Sequence, residues 1–310
     1  MRLGVLDIGS NTLHLLLVDA HPGARPIPFT SHKRPLHLGD FLDADGSISP
    51  AGERELIEFV REAATLGREH QAEDMMAFAT SAIREAGNGQ AVLDRVFAET
   101  GTRLLELSGP DEAAATFLAV RRWYGWGSGT ILNLDIGGGS LELAMGADES
   151  PDIALSVPLG AGRLTRDFLH DDPPTAKSVN AVRKYIRATL EDPIADIERA
   201  GSPTIVAGTS KSFRSLARIC GAAPSAEGPY VRRELRLRDL ALWATRLSAM
   251  ASKDRAELPG VSAVRSRQML AAALVAQGAM EGLHIESLLI CPWALREGLI
   301  LRQFDHLMTN

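Results

Sequence analysis

Short apolar runs alternate along this chain with longer stretches whose apolar positions recur every three or four residues, the pattern of an α/β protein. Residues 3–8 and 13–19 read as a first strand pair, and Phe29–Leu38 holds a third strand. His21–Pro28 between them is proline-rich and turn-like. Ser49-Pro50 opens a helix, cap then proline in the first turn, that runs to Glu69. Met75–Thr80 reads as a buried strand and 89–99 as a helix closed by Gly101. Arg103–Leu107 is a strand and Asp111–Trp123 a helix. After a glycine-rich link at 125–129 come strands at 130–134, 141–145 and 153–157. Helices are expected over 161–168, 175–200, 237–251 and 262–280, with short strands at 204–207 and 287–291. A helix over 293–304 ends the pattern.

One stretch organises the rest: Asn133-Leu134-Asp135-Ile136-Gly137-Gly138-Gly139-Ser140. Asp135 stands at a strand end, where a carboxylate can face a ligand or a metal. The glycines that follow can take positive φ or let the backbone approach a bound group closely. Converging peptide N–H groups there make a nest for phosphate oxygens. Leu141, Leu143 and Met145 then alternate with Glu142 and Ala144, so the chain returns as a second strand. The flanks of the turn carry Asp135 and Glu142. An ordinary glycine-rich hairpin would explain this stretch alone, but it has a partner. Asp7-Ile8-Gly9-Ser10-Asn11-Thr12 is likewise strand, Asp-Ile-Gly, small polar turn, strand. Two such units suggest two similar lobes, each offering a phosphate-binding hairpin to a shared cleft.

Composition narrows the class. Of 310 residues, 45% are hydrophobic and 23% charged, enough for two folded domains. The net charge of −6 argues against a general nucleic-acid binder. It leaves room for a polyanionic substrate, because a nest and a few arginines can reverse the field locally. The two cysteines, Cys220 and Cys291, lack metal spacing and read as free thiols in a reducing compartment. The chain enters a strand at once without a signal peptide, and the apolar run Met269–Met280 is too short to span a bilayer. A cytoplasmic protein with no membrane partner is expected.

Five stretches in order carry a narrower resemblance. Asp7–Thr12, Thr80–Asn88, Ser108–Ala113, Asp135–Glu142 and Leu295–Leu299 resemble the successive motifs of the Ppx/GppA family, exopolyphosphatases and guanosine pentaphosphate phosphatases. The resemblance implies two actin-like (ribonuclease H-like) α/β lobes with an interlobe cleft. The expected first lobe is 1–124, completed by the C-terminal helix at 296–310; the second is 125–295. It also implies magnesium-dependent hydrolysis of the terminal phosphate of inorganic polyphosphate. Guanosine pentaphosphate 5′-phosphatase is the alternative; a kinase of the superfamily and a non-catalytic regulator are rivals. The enzyme is expected to be a homodimer. Family members that take long chains carry further helical domains. This sequence ends at Asn310, shortly after the last motif, so short polyphosphate is the expected substrate.

The resemblance also assigns residues. Gly9, Ser10, Asn11 and Thr12, with Gly137, Gly138, Gly139 and Ser140, would bind phosphate. Arg84 would make a bidentate phosphate contact, with Asn88 following it; a surface arginine is the plain alternative. Glu112 would activate the attacking water. A carboxylate opening a helix equally serves the helix dipole, and here the residue before it is Asp111 where the family often has glutamate. Asp135 and Glu142 would hold magnesium, with Asp7 as a third or supporting group. Gly208-Thr209-Ser210-Lys211 looks like the second-lobe Gly-Thr-Ser-Gly turn of the family, with Lys211 in place of the last glycine. Thr209, Ser210 and Lys211 are therefore substrate candidates. Lys33 and Arg34 would meet distal phosphates. His14 reads as structural, and Arg296 and Glu297 as a structural pair at the start of the last helix.

Overall fold

Strand β1 (Arg2–Ile8) is apolar on both faces: Leu3, Val5, Leu6 and Ile8 are all fully buried. The computed structural model describes residues 1–21, 26–36, 38–43 and 45–309; the turn read over His21–Pro28 lies partly outside them. β2 (Thr12–Asp19) pairs antiparallel with β1, and β3 (Thr30–Pro35) pairs antiparallel with β2. Ser49 caps α1 (Pro50–Glu69), its side chain accepting from the Gly52 N–H. Leu56, Phe59, Val60 and Ala63 of that helix pack on Leu6, Ile8, Leu13 and Leu15. β4 (Asp74–Ala79) lies parallel to β1 and is followed by the single turn α2 (Ser81–Arg84). Then come α3 (Gly89–Thr100), closed by Gly101 at φ 71°, the two-residue β5 (Leu105–Glu106) and α4 (Gly109–Tyr124). The sheet order is β3-β2-β1-β4-β5.

A second sheet repeats this plan. β6 (Ile131–Ile136), β7 (Leu141–Gly146) and β8 (Ile153–Val157) form an antiparallel meander. α5 (Ala161–Phe168) and α6 (Ala176–Ala200) lead to β9 (Ile205–Gly208), parallel to β6, and α7 (Ser210–Ile219) follows. β10 (Glu234–Arg236), α8 (Leu237–Ser248), α9 (Ser252–Ala256), α10 (Ala263–Ser266) and α11 (Met269–Gly282) precede β11 (Ser287–Ile290), which is parallel to β9. Its order is β10-β11-β9-β6-β7-β8. Outward from its hairpin, β8-β7-β6-β9-β11 matches β3-β2-β1-β4-β5 in order and in strand direction. β10 adds an antiparallel edge. α11 is apolar all round and buried along its length, the centre of the second core.

The chain divides into two compact units, 1–112 with 296–310, and 113–295. The first break falls inside α4, between Glu112 and Ala113, rather than at the glycine-rich link after 124. The second falls at the start of α12 (Leu295–Thr309).

One expected helix is interrupted, and one strand was not expected. The helix expected at 262–280 is broken into α10 and α11, whereas that expected at 237–251 is α8, ending at Ser248, and α9 begins beyond it. β10 had no hydrophobic run of its own to announce it; it forms because β11 offers an edge.

Candidate active site

In the second unit the strand register sets Asp135 directly opposite Glu142, and Glu142 directly opposite Ser156. The three side chains therefore form one row across β6, β7 and β8 on one face of the sheet. Ser156 Oγ donates to Glu142 Oε1 at 3.0 Å, and Thr209 Oγ1 donates to Asp135 Oδ2 at 2.5 Å. Two carboxylates directly opposite in an antiparallel pair repel. Burial pushes the Asp135 carboxyl up to about 6, against the lowering effects of the Thr209 hydrogen bond and the charges of Arg214 and Arg265. A divalent cation would relieve both costs. Magnesium needs only one or two carboxylates, completing its shell with water and phosphate oxygens, so this pair fits it.

The turn beside this pair is braced from behind. The carbonyls of Gly137, Gly138 and Gly139 accept from the N–H groups of Ala161, Arg163 and Gly160 at 3.0, 2.9 and 3.2 Å. Arg163 Nε adds a bond to Gly139 O at 2.9 Å. In a trans peptide the N–H points opposite to the C=O. With three carbonyls held by the α5 segment, the N–H groups of Gly138, Gly139 and Ser140 face the other way, as an anion nest requires. None of the left-handed glycines belongs to this turn or to the first one. The glycines instead allow close approach: a Cβ on Gly160 would lie 2.2 Å from Gly139 C.

The first turn is built alike. Gly9 N–H bonds Thr12 O at 3.2 Å, as Gly137 N–H bonds Ser140 O at 2.9 Å. Leu38 and Leu36 donate to the carbonyls of Ser10 and Asn11 at 3.1 and 3.3 Å, turning the Asn11 and Thr12 N–H groups away from that segment. Ser10 Oγ lies 3.3 Å from Ser81 Oγ. The row beside the turn is different. Asp7 stands opposite His14, and His14 opposite Lys33. Arg296 of α12 hydrogen-bonds His14 Nδ1 and sets its Nε 3.7 Å from Asp7 Oδ2. Burial, with Arg296 and Lys33 adding repulsion, lowers His14 to about 4, so the ring is neutral and accepts from the guanidinium. Burial raises the Asp7 carboxyl, partly offset by Arg296. Arg296 thus engages Asp7 and His14.

Glu112, 7% exposed, sits in the first turn of α4. Arg84 Nη1 donates to Glu112 Oε1 at 2.6 Å and to Leu107 O at 2.5 Å. No other Arg84 partner occurs among the described residues, which leaves its Nε and Nη2 for a ligand. Asn88 is engaged elsewhere: its amide accepts from Ile48 N–H at 2.8 Å and donates to Ile48 O at 2.9 Å. Arg34 lies on the α1 face, within 3.5 Å of Glu55, Glu58 and Glu62, while Lys33 shares the Asp7–His14 face. Alternation along β3 separates the two basic residues. Thr209 is fully buried, and Lys211 is exposed at the start of α7. Ser210 adopts φ 66°, and its buried Oγ has no hydrogen-bond partner among the described residues, although the side chain lies close enough to Asp135 to help lower its pKa.

Sequence reasoning missed Gly160, Arg163, Arg214 and Arg265. Gly160 precedes α5, and the arginines lie within α5, α7 and α10, so only the tertiary fold brings each to Asp135 or to the glycine turn. Among the described residues no group of three or more His, Cys, Asp or Glu forms a metal cluster, and no helix is long and apolar enough to cross a membrane.

The chain resembles known proteins in sequence and in fold. Exopolyphosphatase 1 of Mycobacterium tuberculosis is 54% identical over 305 residues, covering 98% of this chain and 89% of that protein. A guanosine-5′-triphosphate,3′-diphosphate pyrophosphatase of Vibrio parahaemolyticus is 25% identical, covering 98% of this chain and 60% of that protein. The crystal structure of an exopolyphosphatase from Cytophaga hutchinsonii superposes with a TM-score of 0.88 at 24% identity, covering 99% and 98% of the two chains. The fold is therefore that of two actin-like lobes. Residues 17–307 match the Ppx/GppA phosphatase family along nearly the whole chain, and the protein belongs to that family.

Proposed function

We propose that this protein is an exopolyphosphatase that hydrolyses the terminal phosphoanhydride of inorganic polyphosphate with magnesium. The observation that carries the reading is the 54% identity to Exopolyphosphatase 1 across 98% of the chain. The pentaphosphate phosphatase reading rests on a relative at 25% and is the weaker one. The geometry supports hydrolysis. Glu112 takes the proton of the attacking water while the water oxygen bonds to the terminal phosphorus. The bridging P–O bond breaks and the shortened chain leaves with its electron pair. Arg84 orients Glu112 through Nη1 and offers Nε and Nη2 to phosphate oxygens. The N–H groups of Asn11 and Thr12 in the first turn are proposed donors to phosphate oxygens, and so, taken by themselves, are those of Gly138, Gly139 and Ser140 in the second.

Asp135 and Glu142 would hold magnesium, which when bound offsets phosphate charge. Asp7 is better read as the anchor of Arg296, and Asn88 as the anchor of the Ile48 loop. A cytoplasmic homodimer completes the proposal. The test is phosphate release from short polyphosphate, long polyphosphate, guanosine pentaphosphate and ATP, side by side with magnesium. Release from polyphosphate above all others is expected. Release from guanosine pentaphosphate with inert polyphosphate would overturn the reading.

A further inference from the structure

We propose that Thr209 is a positioning residue for the metal carboxylate, tying Asp135 Oδ2 so that Oδ1 is the atom offered to the cation. The inference rests on the assignment of Asp135 and Glu142 to magnesium. It moves Thr209 out of the substrate-binding set, where its Gly-Thr-Ser-Lys motif had placed it.

Three polar groups surround Thr209 Oγ1: Asp135 Oδ2 at 2.5 Å, Leu134 O at 3.3 Å and Asn133 Nδ2 at 3.5 Å. A hydroxyl has one proton to donate. The carboxylate is the nearest acceptor and the charged one, so the proton goes to Asp135. The oxygen lone pairs of Thr209 are then free to accept. That fixes the side-chain amide of Asn133 with Nδ2 toward Thr209, since its oxygen would have no proton to receive there. The chain of donors runs Asn133 to Thr209 to Asp135.

Burial makes the arrangement specific. Thr209 is 0% exposed and Asn133 1% exposed, so neither side chain is open to a substrate in solution. Asn133 stands in the middle of β6 on the same face as Asp135, two residues before it. Its Oδ1 has no hydrogen-bond partner among the described residues. A buried amide kept with one end unsatisfied costs free energy, and its other end supports Thr209. The next residue, Ser210, is a non-glycine residue at φ 66°, a conformation held only where the surroundings impose it. Groups that orient a metal ligand in this way tune affinity without touching the metal.

The test measures Mn2+ binding to the substrate-free protein by calorimetry, with Mn2+ as the probe, and KM for short polyphosphate at saturating magnesium. Thr209→Val keeps the shape and removes the donor. It should weaken Mn2+ binding by roughly ten- to a hundredfold and leave KM unchanged. Thr209→Ser keeps the donor and should bind Mn2+ like the wild type. Wild-type Mn2+ affinity in Thr209→Val would overturn the proposal. So would a raised KM in that variant without a change in Mn2+ affinity, which would return Thr209 to substrate binding. If Thr209→Val does not fold, Thr209→Ala against Thr209→Ser carries the same comparison, and equal Mn2+ affinities overturn it. Asp135→Asn separates the two layers. If Asp135→Asn also binds Mn2+ normally, the metal assignment itself fails. If only Thr209→Val binds normally, the positioning role alone fails.

Discussion

The two hairpins share a strand order, a turn and a leading Asp-Ile-Gly, yet the rows of side chains beside them have opposite character. Asp7–His14–Lys33 with Arg296 is basic around one carboxylate. Asp135–Glu142–Ser156 holds two carboxylates and no cation in the row. A repeated fold thus supplies two similarly built turns, while the strand opposite each aspartate sets the surroundings of that aspartate. Where β2 presents His14, the aspartate is neutralised by an arginine from α12. Where β7 presents Glu142, the aspartate faces a second acid and the pair favours a metal. Glu112 lies in the same unit as the basic row. Glu112 is the proposed base and the acidic row the proposed metal site, each read within its own unit.

The largest expected effect tests that division at Glu112. Glu112→Gln should lower kcat by roughly two to four orders of magnitude, with KM for short polyphosphate nearly unchanged. Steady-state phosphate release measures it. Near-wild-type turnover would leave Glu112 a helix-start carboxylate and the basic row without its base.

Gly160→Ala comes next. Its Cβ would fall 2.2 Å from Gly139 C and 2.4 Å from Gly138 O, backbone atoms that cannot swing aside. Overpacking of this kind costs about 1–3 kcal/mol, read by urea unfolding, and the displaced nest should raise KM. An unchanged KM would mean that the second turn does not hold substrate.

Asp135→Asn should act on stability with a sign that depends on pH. The native carboxyl titrates at about 6, raised from 3.8 by burial. Between those values the native state binds more protons than the unfolded one, so metal-free stability falls as pH rises from about 4 to about 6. The loss is on the order of 2–3 kcal/mol. Asp135→Asn removes it, so the metal-free variant should gain on the wild type at pH 7 and lose that advantage at pH 4. Parallel stability curves across that range, from denaturant unfolding with chelator, would contradict the strain assigned to this carboxylate. The smallest effect is at Asp7. Asp7→Asn breaks the ion pair with Arg296 but also removes a carboxyl that burial disfavours, so stability should change by no more than about 1 kcal/mol.

Much of the fold was legible because it is local. Both hairpins, the Ser49 cap and the Gly101 stop follow from strand alternation and end chemistry within a few residues. Asp135 and Glu142 could be paired on paper because a tight hairpin fixes the register across it. The same reasoning applied to the first hairpin finds His14 opposite Asp7, but not Arg296, which arrives from the far end of the chain. Asn88 illustrates the other limit. Its motif marks it as a phosphate ligand, and its amide is instead spent on Ile48, a backbone partner with no sequence signal. Arg34 carries the charge a polyanion wants, yet α1 surrounds it with Glu55, Glu58 and Glu62. The glycine triplet was legible as a turn, while the reason for it, the carbonyl bonds to α5, needed Gly160 and Ala161 in place.

The acidic row, and not the basic one, is the proposed metal site. Mn2+ binding to substrate-free protein tests it most directly, in wild type, Asp135→Asn, Glu142→Gln and Asp7→Asn. The account predicts wild-type affinity in Asp7→Asn and weakened binding in the other two. Weakened binding in Asp7→Asn with wild-type binding in Asp135→Asn and Glu142→Gln would contradict it.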